Sequence, residues 1–318
     1  MAVYTQLSAE DLAALIACYE VGDLVSAKGI AEGVSNSNWL IDTTRGRYIL
    51  TMYERRIDLA DLPFFLGLLD HLSACGCPVP RTIHDRDSAA SRLVDGKAVA
   101  LIEFLPGVSP DRPSAEQARA VGAALAQIHL AARNFAIARP NGLGPAESLA
   151  TLEQCGPAAL ATIDPDLPRA IGYARDVRKC WPADLPISVI HSDLFPDNVL
   201  MLGGRVTGLI DFYFACSDAM AYDLAVTHAA WSFDKSGVQF HRAVGRALTE
   251  GYESVRPLEE RERSVLPLLA RGGCLRFVAS RAEDWIEAPA DALVTKKDPM
   301  AFLRRHDLYA HEGAAAFA

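Results

Sequence analysis

Three residues have the types and spacing needed for phosphate chemistry. Asp193 and Asn198 lie five positions apart in the segment HSDLFPDN, and Asp211 follows in the segment IDF. Phosphoryl transfer needs a base beside the acceptor hydroxyl and a cation that neutralises the phosphates, but little covalent chemistry from the protein. An Asp followed five residues later by an Asn has the spacing of a kinase catalytic loop. We therefore predict Asp193 as the catalytic base, Asn198 and Asp211 as ligands of Mg²⁺, and ATP as the phosphate donor.

The chain between Asn198 and Asp211 predicts how these residues meet. Two short apolar runs, VLML and VTGLI, are separated by the pair Gly203-Gly204, which is typical of a hairpin. Such a hairpin would return Asp211 to the side of Asn198, so that two oxygen ligands converge on one cation. Turn formation at strand ends is the alternative for Asp and Asn, but charges directly beside apolar strands favour catalysis. For His191, anchoring of the loop by hydrogen bonds is favoured over a role as base.

The first third of the chain has the short β-rich runs of an antiparallel sheet. Five such runs occur, LVSAKGI, SNWLIDT, RYILTMY, SRLVD and AVALIEF, with turn segments such as TRGR and DGK between them. Ser8 with Asp11 predicts the capped start of an amphipathic helix that ends near Val21 and Gly22. One further helix, over residues 58–74, should pack on the sheet.

Beyond a segment rich in Pro and Gly at residues 105–113, the pattern is mostly helical. One β-rich stretch, residues 185–212, interrupts it, and the polar tail from Ala288 onward is expected to pack loosely on the surface. We predict an α+β, protein-kinase-like bilobal fold. Residues 1–105 would form a small antiparallel nucleotide-binding lobe, and residues 106–318 a larger, mostly helical lobe with the catalytic loop and the substrate site.

The composition is that of a globular protein, with 50% apolar and 22% charged residues, and the net charge is −9. This acidity argues against binding of nucleic acid, which depends on Lys and Arg neutralising phosphates. The seven cysteines include no CxxC pair and are expected to be reduced thiols. Without a signal peptide or an apolar run of the ~20 residues that span a bilayer, the chain is expected to be cytoplasmic, with small-molecule substrates and no membrane partner.

Two segments are candidates for contacts with ATP. The segment EGVSNSN lies between two strands, where backbone amides and the side chains of Ser35, Asn36 and Ser37 could hold phosphates; an ordinary hairpin turn is the alternative. The segment IEFLPG lies at the boundary between the lobes, where Glu103 and Leu105 would offer their backbones to adenine.

The segments HSDLFPDNVL, IDFYFACSD and AYDLAV resemble the aminoglycoside-phosphotransferase-like family, which includes choline kinases, and more narrowly its homoserine kinase branch. The resemblance extends over essentially the whole chain, and DLFPDN and DFYFACSD are the pieces specific to the branch. It implies transfer of the γ-phosphate of ATP to the side-chain hydroxyl of L-homoserine, a step toward threonine. It also implies that Asp223, in YDLA, is a buried carboxylate that braces the catalytic loop without taking part in the chemistry.

One position departs from the usual kinase pattern. Thr51, on the third strand, stands where kinases usually have a phosphate-binding lysine, and the homoserine kinase branch shares this Thr. Lys28, on the first strand, is our candidate for the α- and β-phosphates. The same departure is the main argument for an alternative function, a pseudokinase that binds nucleotide and acts as an interaction module.

An amino-acid acceptor needs a cation for its carboxylate, and the planar guanidinium of Arg binds carboxylates in a bidentate manner. Arg276 and Arg281, in the segment LRFVASRAEDW, are the predicted substrate ligands, and Arg139 is the rival. Arginines on a solvated helix face are the alternative. A kinase of the same fold that acts on another small alcohol, such as choline, an aminoglycoside or a sugar, is the next interpretation.

Overall fold

The first lobe contains a six-stranded antiparallel sheet between two helices. The structure is a computed structural model that describes residues 7–30, 36–54, 58–288 and 296–318. The elements of the first lobe are helices α1 (Ala9–Ile16) and α2 (Leu62–Ala74) and strands β1 (Leu24–Ile30), β2 (Asn36–Thr43), β3 (Arg47–Tyr53), β4 (Thr82–Ile83), β5 (Arg92–Val94) and β6 (Lys97–Glu103). The strand order is β1-β2-β3-β6-β4, and β5 also pairs with β6. The five predicted strands are confirmed, whereas β4 is too short to show as a sequence pattern.

Strand β6 explains why a helix covers each face of the sheet. Val99 and Leu101 belong to the core that includes α1, whereas Ala98, Ala100 and Ile102 belong to the core that includes α2. Successive side chains of a strand point to opposite faces, so a strand that is apolar throughout needs cover on both sides. The sheet is therefore packed between α1 and α2, and not against α2 alone as the sequence predicted.

Helix α1 begins at the predicted capping box of Ser8. It ends at Ile16, short of the predicted end near Val21, so that this boundary was wrong. The reason is Tyr19, which leaves the helix to form an antiparallel bridge with Asp85 and is buried there.

The second lobe is mostly helical. It contains α3 (Ala115–Ala132), α4 (Pro145–Ile163, interrupted at Gly156), α5 (Arg169–Cys180), α6 (Met220–Trp231), α7 (Arg242–Glu253), α8 (Glu260–Glu287) and α9 (Met300–Glu312), with strands β7 (Ile187–Ile190), β8 (Val199–Leu202), β9 (Arg205–Leu209) and β10 (Cys216–Ala219). Strand β7 pairs with β10 and β8 with β9, both antiparallel. None of the helices in the described parts of the chain has the length and apolar character needed to cross a lipid bilayer.

The prediction of a loosely packed tail was wrong for the residues that form α9. This helix packs along α8 and buries Met300, Phe302 and Tyr309. The polar composition concealed the contact because Arg305 is buried too, with one terminal nitrogen donating to the carbonyl of Ala229 at 2.9 Å. Buried charged groups of this kind need such partners, and the partner lies too far along the chain to be read from a local pattern.

Helices α3 and α7 approach so closely that glycines are needed at their contact. A Cβ atom on Gly122 would lie 2.0 Å from the carbonyl oxygen of Leu248, and one on Gly251 would lie 2.0 Å from that of Arg119. We expect Gly122→Ala to lower the free energy of unfolding by about 1–3 kcal/mol through overpacking. Gly172→Ala, which meets no atom within 4 Å, should instead raise it by about 0.5–1 kcal/mol. Chemical denaturation measures both, and stabilisation by both variants would contradict the close contact.

Candidate active site

The β8–β9 hairpin brings Asp211 back to the side of Asn198. Val199 pairs with Leu209 in the antiparallel ladder, and the N–H of Ile210 donates to the carbonyl of Asn198 at 3.0 Å. The residues on the two flanks of the hairpin are thereby held together at its open end.

The catalytic loop fixes the orientation of the Asn198 amide. Its Nδ2 donates to the main-chain carbonyl of Asp193 at 2.8 Å and lies 3.4 Å from Asp193 Oδ2. Because the amide nitrogen faces Asp193, the amide oxygen faces away from it and is left for a ligand. Oxygen atoms of this kind are the ligands that Mg²⁺ prefers.

Negative charge is crowded at this end of the hairpin. Asp211 is exposed, yet desolvation by the surrounding protein, together with the charges of Asp193 and Asp197, raises its pKa to about 7. Burial also raises the pKa of Asp193, an effect that the positive charge of Arg276 opposes. A divalent cation would relieve this crowding. The carboxylate of Asp211 and the amide oxygen of Asn198 therefore fit the predicted Mg²⁺ site.

A buried carboxylate holds the start of the catalytic loop. The carboxylate oxygens of Asp223 accept hydrogen bonds from the N–H groups of His191 and Ser192, each at 2.7 Å, and His129 Nε2 donates to Oδ2 at 3.0 Å. Burial disfavours the charged form, but the hydrogen bond and charge of His129 and the other contacts outweigh it and lower the pKa of Asp223. The loop is thus attached to α6 through Asp223 and to α3 through His129.

The hydrogen bonds continue from His129 into the interior of the helical lobe. Its Nδ1 lies 2.9 Å from the hydroxyl of Tyr252, to which Arg256 donates at 3.3 Å, and Arg256 in turn pairs with Glu262 at 2.8 Å. Sequence reasoning missed this network. Its one local signal is a histidine on the apolar face of α3, and the partners come from three separate segments.

His191 joins the catalytic loop to the segment that carries Asp211. Its Nδ1 accepts a hydrogen bond from the N–H of Asp193 at 3.3 Å, so Nε2 carries the proton and donates to the carbonyl of Ile210 at 2.9 Å. Burial lowers the pKa of His191 and keeps the ring neutral near pH 7. With both ring nitrogens engaged, His191 orients the loop and is not placed to act as a base.

Arg276, one of the two predicted substrate ligands on α8, is committed to the catalytic loop. It donates to the carbonyl of Ser192 and, at 2.7 Å, to its hydroxyl, and its guanidinium lies against the rings of Phe214 and Phe277. Ser192 has φ 68°, a left-handed conformation that is uncommon outside glycine and persists where contacts hold it. Arg276 supplies such contacts through one terminal nitrogen, and its predicted role in binding the substrate carboxylate stays a prediction.

Arg281, the second predicted substrate ligand on α8, contacts the segment before α9 and the ring of Phe302. One terminal nitrogen donates to the carbonyl of Asp298 at 2.9 Å, and its guanidinium lies 4.6 Å from the centroid of the Phe302 ring, on which Arg305 also stacks at 4.2 Å. Burial and the charge of Arg305 lower the pKa of Arg281 to about 10, while Asp298 and Asp193 act in the opposite direction. Positive charge is thus in excess around Phe302, close enough to Asp193 for their charges to interact.

The rival arginine, Arg139, lies at the junction of the lobes. It pairs with Asp61 at 2.7 Å, donates to the carbonyl of Ala215 at 3.2 Å and lies over the ring of Phe65. These contacts attach the start of α2 to the segment that follows Asp211, which is a role in holding the lobes together.

Two of the three residues predicted to bind the phosphates of ATP lie in the part of the chain that the structure describes. Ser35 lies outside the described residues, and Asn36 and Ser37 are buried at the start of β2. The hydroxyl of Ser37 donates to Glu54 at 2.7 Å, and Glu54 pairs with Lys97. The Ser37 side chain is therefore engaged with β3 and β6.

At the predicted adenine site, the N–H of Glu103 donates to the carbonyl of Arg81 at 3.0 Å. The adenine contact predicted for Glu103 would therefore use its carbonyl. Leu105 packs on the β8–β9 hairpin, since a Cβ atom on Gly208 would lie 2.8 Å from Leu105 Cδ1. The boundary segment thus lies directly over the hairpin that carries Asn198.

At the third strand, Thr51 is buried and its hydroxyl donates to the side-chain oxygen of Asn38 at 2.8 Å. Nearby, the hydroxyls of Tyr53 and Tyr213 lie 3.2 Å apart, which links β3 to the segment after Asp211. A neutral polar cluster thus occupies the usual place of the lysine. Lys28 is exposed on β1.

Lys297 is a residue that sequence reasoning missed. Its positive charge acts on both Asp193 and Asp211, lowering the pKa of each against the effect of burial. It belongs to the polar tail that was expected to pack loosely, and the adjacent Lys-Lys-Asp-Pro stretch was the only signal in the sequence.

Comparisons with known proteins identify the family and the fold of the chain. Residues 26–258 match the model of the phosphotransferase enzyme family. A curated homoserine kinase of Chelativorans sp. is 49% identical over 306 residues, covering 96% of this chain and 94% of the relative. One of Rhizobium etli is 45% identical over 317 residues, covering 99% of this chain and 98% of the relative.

Solved structures show the same fold at low sequence identity. A spectinomycin phosphotransferase in complex with ADP and spectinomycin has a TM-score of 0.75 at 14% identity, covering 98% of this chain and 100% of the other. An amicoumacin kinase in complex with AMP-PNP and Ca²⁺ has a TM-score of 0.74 at 13% identity, covering 97% of this chain and 95% of the other. The predicted bilobal kinase-like fold is confirmed, and the chain belongs to the phosphotransferase enzyme family.

Proposed function

We propose that this chain transfers the γ-phosphate of ATP to the side-chain hydroxyl of L-homoserine, giving O-phospho-L-homoserine and ADP in threonine biosynthesis. The observation that carries the proposal is the convergence of Asp193, Asn198 and Asp211 at the open end of the β8–β9 hairpin. Similarity to curated homoserine kinases along nearly the whole chain supports this acceptor. The solved neighbours that hold ADP or AMP-PNP support ATP as the donor.

In this reaction Asp193 is the base. Its carboxylate takes the proton of the acceptor hydroxyl while that oxygen forms a bond to the γ-phosphorus; the bond from this phosphorus to the bridging oxygen breaks, and ADP leaves. A pKa raised by burial makes the carboxylate a better proton acceptor. Asp211 and Asn198 would hold Mg²⁺, which neutralises the phosphates when bound.

For the nucleotide, we propose that the carbonyl of Glu103 and the N–H of Leu105 contact adenine, above the hairpin that carries the metal ligands. The phosphates would lie at the segment that includes Ser35 and Asn36. Because the hydroxyl of Ser37 is bonded to Glu54, Ser37 would contribute through its backbone.

For the acceptor, we propose Arg281 as the ligand of the homoserine carboxylate. The guanidinium groups of Arg281 and Arg305 both lie over the Phe302 ring, and burial and this second charge lower the pKa of Arg281 to about 10. A carboxylate placed there would offset the excess positive charge. We propose that an amino acid held by Arg281 places its hydroxyl at Asp193, whose charge interacts with that of Arg281.

The test compares kcat/KM for homoserine, 3-amino-1-propanol and serine. We expect homoserine to exceed the amino alcohol by about 100-fold, because an unpaired buried charge costs roughly 1–3 kcal/mol or more. Serine should also react poorly, since its hydroxyl is one methylene short of the base. Arg281→Met should reduce the difference in kcat/KM between homoserine and the amino alcohol. Arg175→Met, which removes an exposed ion pair between α5 and Glu153 on α4, should preserve that difference. If the wild type had equal kcat/KM for homoserine and 3-amino-1-propanol, the assignment of homoserine would be wrong, and another small alcohol would be the acceptor.

A further inference from the structure

Asp211 lies between two attachments that come from different lobes. The residue before it, Ile210, is held by the helical lobe, because its N–H and its carbonyl are both hydrogen-bonded to the catalytic loop. The residues after it form one short helical turn, Phe212–Phe214. A contact that holds this turn therefore also fixes the position of the Asp211 carboxylate from its other side.

Tyr213, in the middle of this turn, is attached to the nucleotide-binding lobe. Its hydroxyl lies 3.2 Å from that of Tyr53 on β3. Its ring meets those of Tyr53 and of Phe65 on α2 edge to face, with ring centroids 5.5 and 5.8 Å apart. Tyr53 and Phe65 are each 2% exposed, so that both lie in the packed core. The two tyrosines thus connect the segment that carries Asp211 to the sheet of the first lobe.

The tyrosine pair lies next to the position where kinases usually have their lysine. Tyr53 and Thr51 are two residues apart on β3 and therefore point to the same face of the sheet. A lysine in the place of Thr51 joins this strand to the phosphates that the metal also binds. In this chain Thr51 is neutral, and its hydroxyl donates to Asn38 at 2.8 Å. The tyrosine pair instead joins the strand to the segment of the metal ligand by a direct contact between side chains.

We propose that Tyr213 is a positioning residue: its hydroxyl, bonded to that of Tyr53, holds the Asp211 carboxylate at a fixed place relative to the nucleotide-binding lobe, so that it meets Mg²⁺ on the phosphates of ATP. A hydrogen bond suits this purpose because it depends on direction as well as on distance. Asp211 has a left-handed φ of 64°, and a residue in such a conformation needs support from its surroundings. The proposal rests on the proposed kinase function but not on which alcohol is the acceptor.

The variants that test it are Tyr213→Phe, Tyr53→Phe and the double variant, which keep the rings and remove only hydroxyl groups. Calorimetry should show that each single variant binds Mg²⁺-ATP about three- to tenfold more weakly, the range for loss of one hydrogen bond. The affinity for adenosine, which carries no phosphates and needs no metal, should stay unchanged. The double variant should bind Mg²⁺-ATP no more weakly than either single variant, because both changes remove the same bond.

Tyr309→Phe is the matched control. It removes the hydroxyl of another buried tyrosine, which is bonded to His228 at 2.6 Å within the helical lobe. This variant should lose thermal stability but bind Mg²⁺-ATP and adenosine as the wild type does.

Thermal unfolding separates positioning of Asp211 from a contribution to stability alone. Tyr213→Phe leaves the hydroxyl of the buried Tyr53 without its partner and should unfold at a lower temperature, whereas the double variant leaves no such group and should recover much of the loss. Affinity for Mg²⁺-ATP should not recover with it.

Recovery of affinity together with stability in the double variant would overturn the proposal, because the bond would then serve only the fold. So would equal weakening of Mg²⁺-ATP and adenosine in the single variants, or no weakening of either. A wild type that leaves homoserine unchanged would remove the proposed acceptor, while the nucleotide titrations would still decide the role of Tyr213.

Discussion

Asp193→Asn should lower kcat by about 10²–10⁴-fold while the affinity for Mg²⁺-ATP stays close to that of the wild type. The amide has the size of the carboxylate but cannot take the proton of the acceptor. The bond from Asn198 reaches the main-chain carbonyl of residue 193, so the substitution preserves it. Because the charge of Asp193 helps to raise the pKa of Asp211, its removal makes Asp211 easier to ionise and should not weaken the metal site.

Steady-state kinetics and calorimetry measure the two effects separately. Asp197→Asn is the matched control, since it removes the same charge from the same loop at an exposed position, and it should change kcat little. If Asp193→Asn reduced nucleotide affinity and turnover in equal proportion, the residue would belong to the nucleotide site and not to the acceptor site.

Asp211→Ala should weaken binding of Mg²⁺-ATP by at least about 100-fold, the upper end of what loss of a supporting residue around a bound metal costs. Binding of adenosine, which carries no phosphates and needs no metal, should be unaffected. Asn198→Ala should also weaken binding of Mg²⁺-ATP, but to a smaller extent, because a neutral amide oxygen is a weaker ligand for a hard cation than a carboxylate is.

The measurement is a set of titrations with Mg²⁺-ATP, metal-free ATP and adenosine, together with thermal unfolding of each variant. Asp211 has φ 64°, a left-handed conformation that Asn tolerates better than Ala does. Comparing Asp211→Asn with Asp211→Ala therefore separates loss of the metal ligand from strain in the backbone. Weakened adenosine binding in both variants would mean that the hairpin itself had been disturbed.

Local patterns predicted most of the elements correctly. The capping box of Ser8 marks the start of α1, where side chain and backbone satisfy each other within four residues. The pair Gly203-Gly204 correctly predicted the turn of the β8–β9 hairpin, which also depends on residues close in sequence. Because all of these interactions are close in sequence, they are visible without knowledge of the fold.

What the sequence could not supply are contacts between distant segments. Arg276 and Arg281 occupy one helix and looked equivalent, yet only the packing of α8 on the catalytic loop commits Arg276 to Ser192. In the same way, Arg305 of α9 is buried with a hydrogen bond to the carbonyl of Ala229, a partner on a distant helix. Such partners lie 84 and 76 positions away, beyond the reach of any periodicity.

The attachment of the catalytic loop to Asp223 has a consequence for how the loop moves. The amide hydrogens of His191 and Ser192 both point at a buried carboxylate, so they can exchange with deuterium from the solvent only when the loop separates from α6. Separation would leave the Asp223 charge buried without these donors, which is costly. Exchange at these two amides should therefore be as slow as in the interior of α6, although neighbouring residues of the loop face the substrates. Their protection would measure directly how rigidly the base is held before any substrate binds.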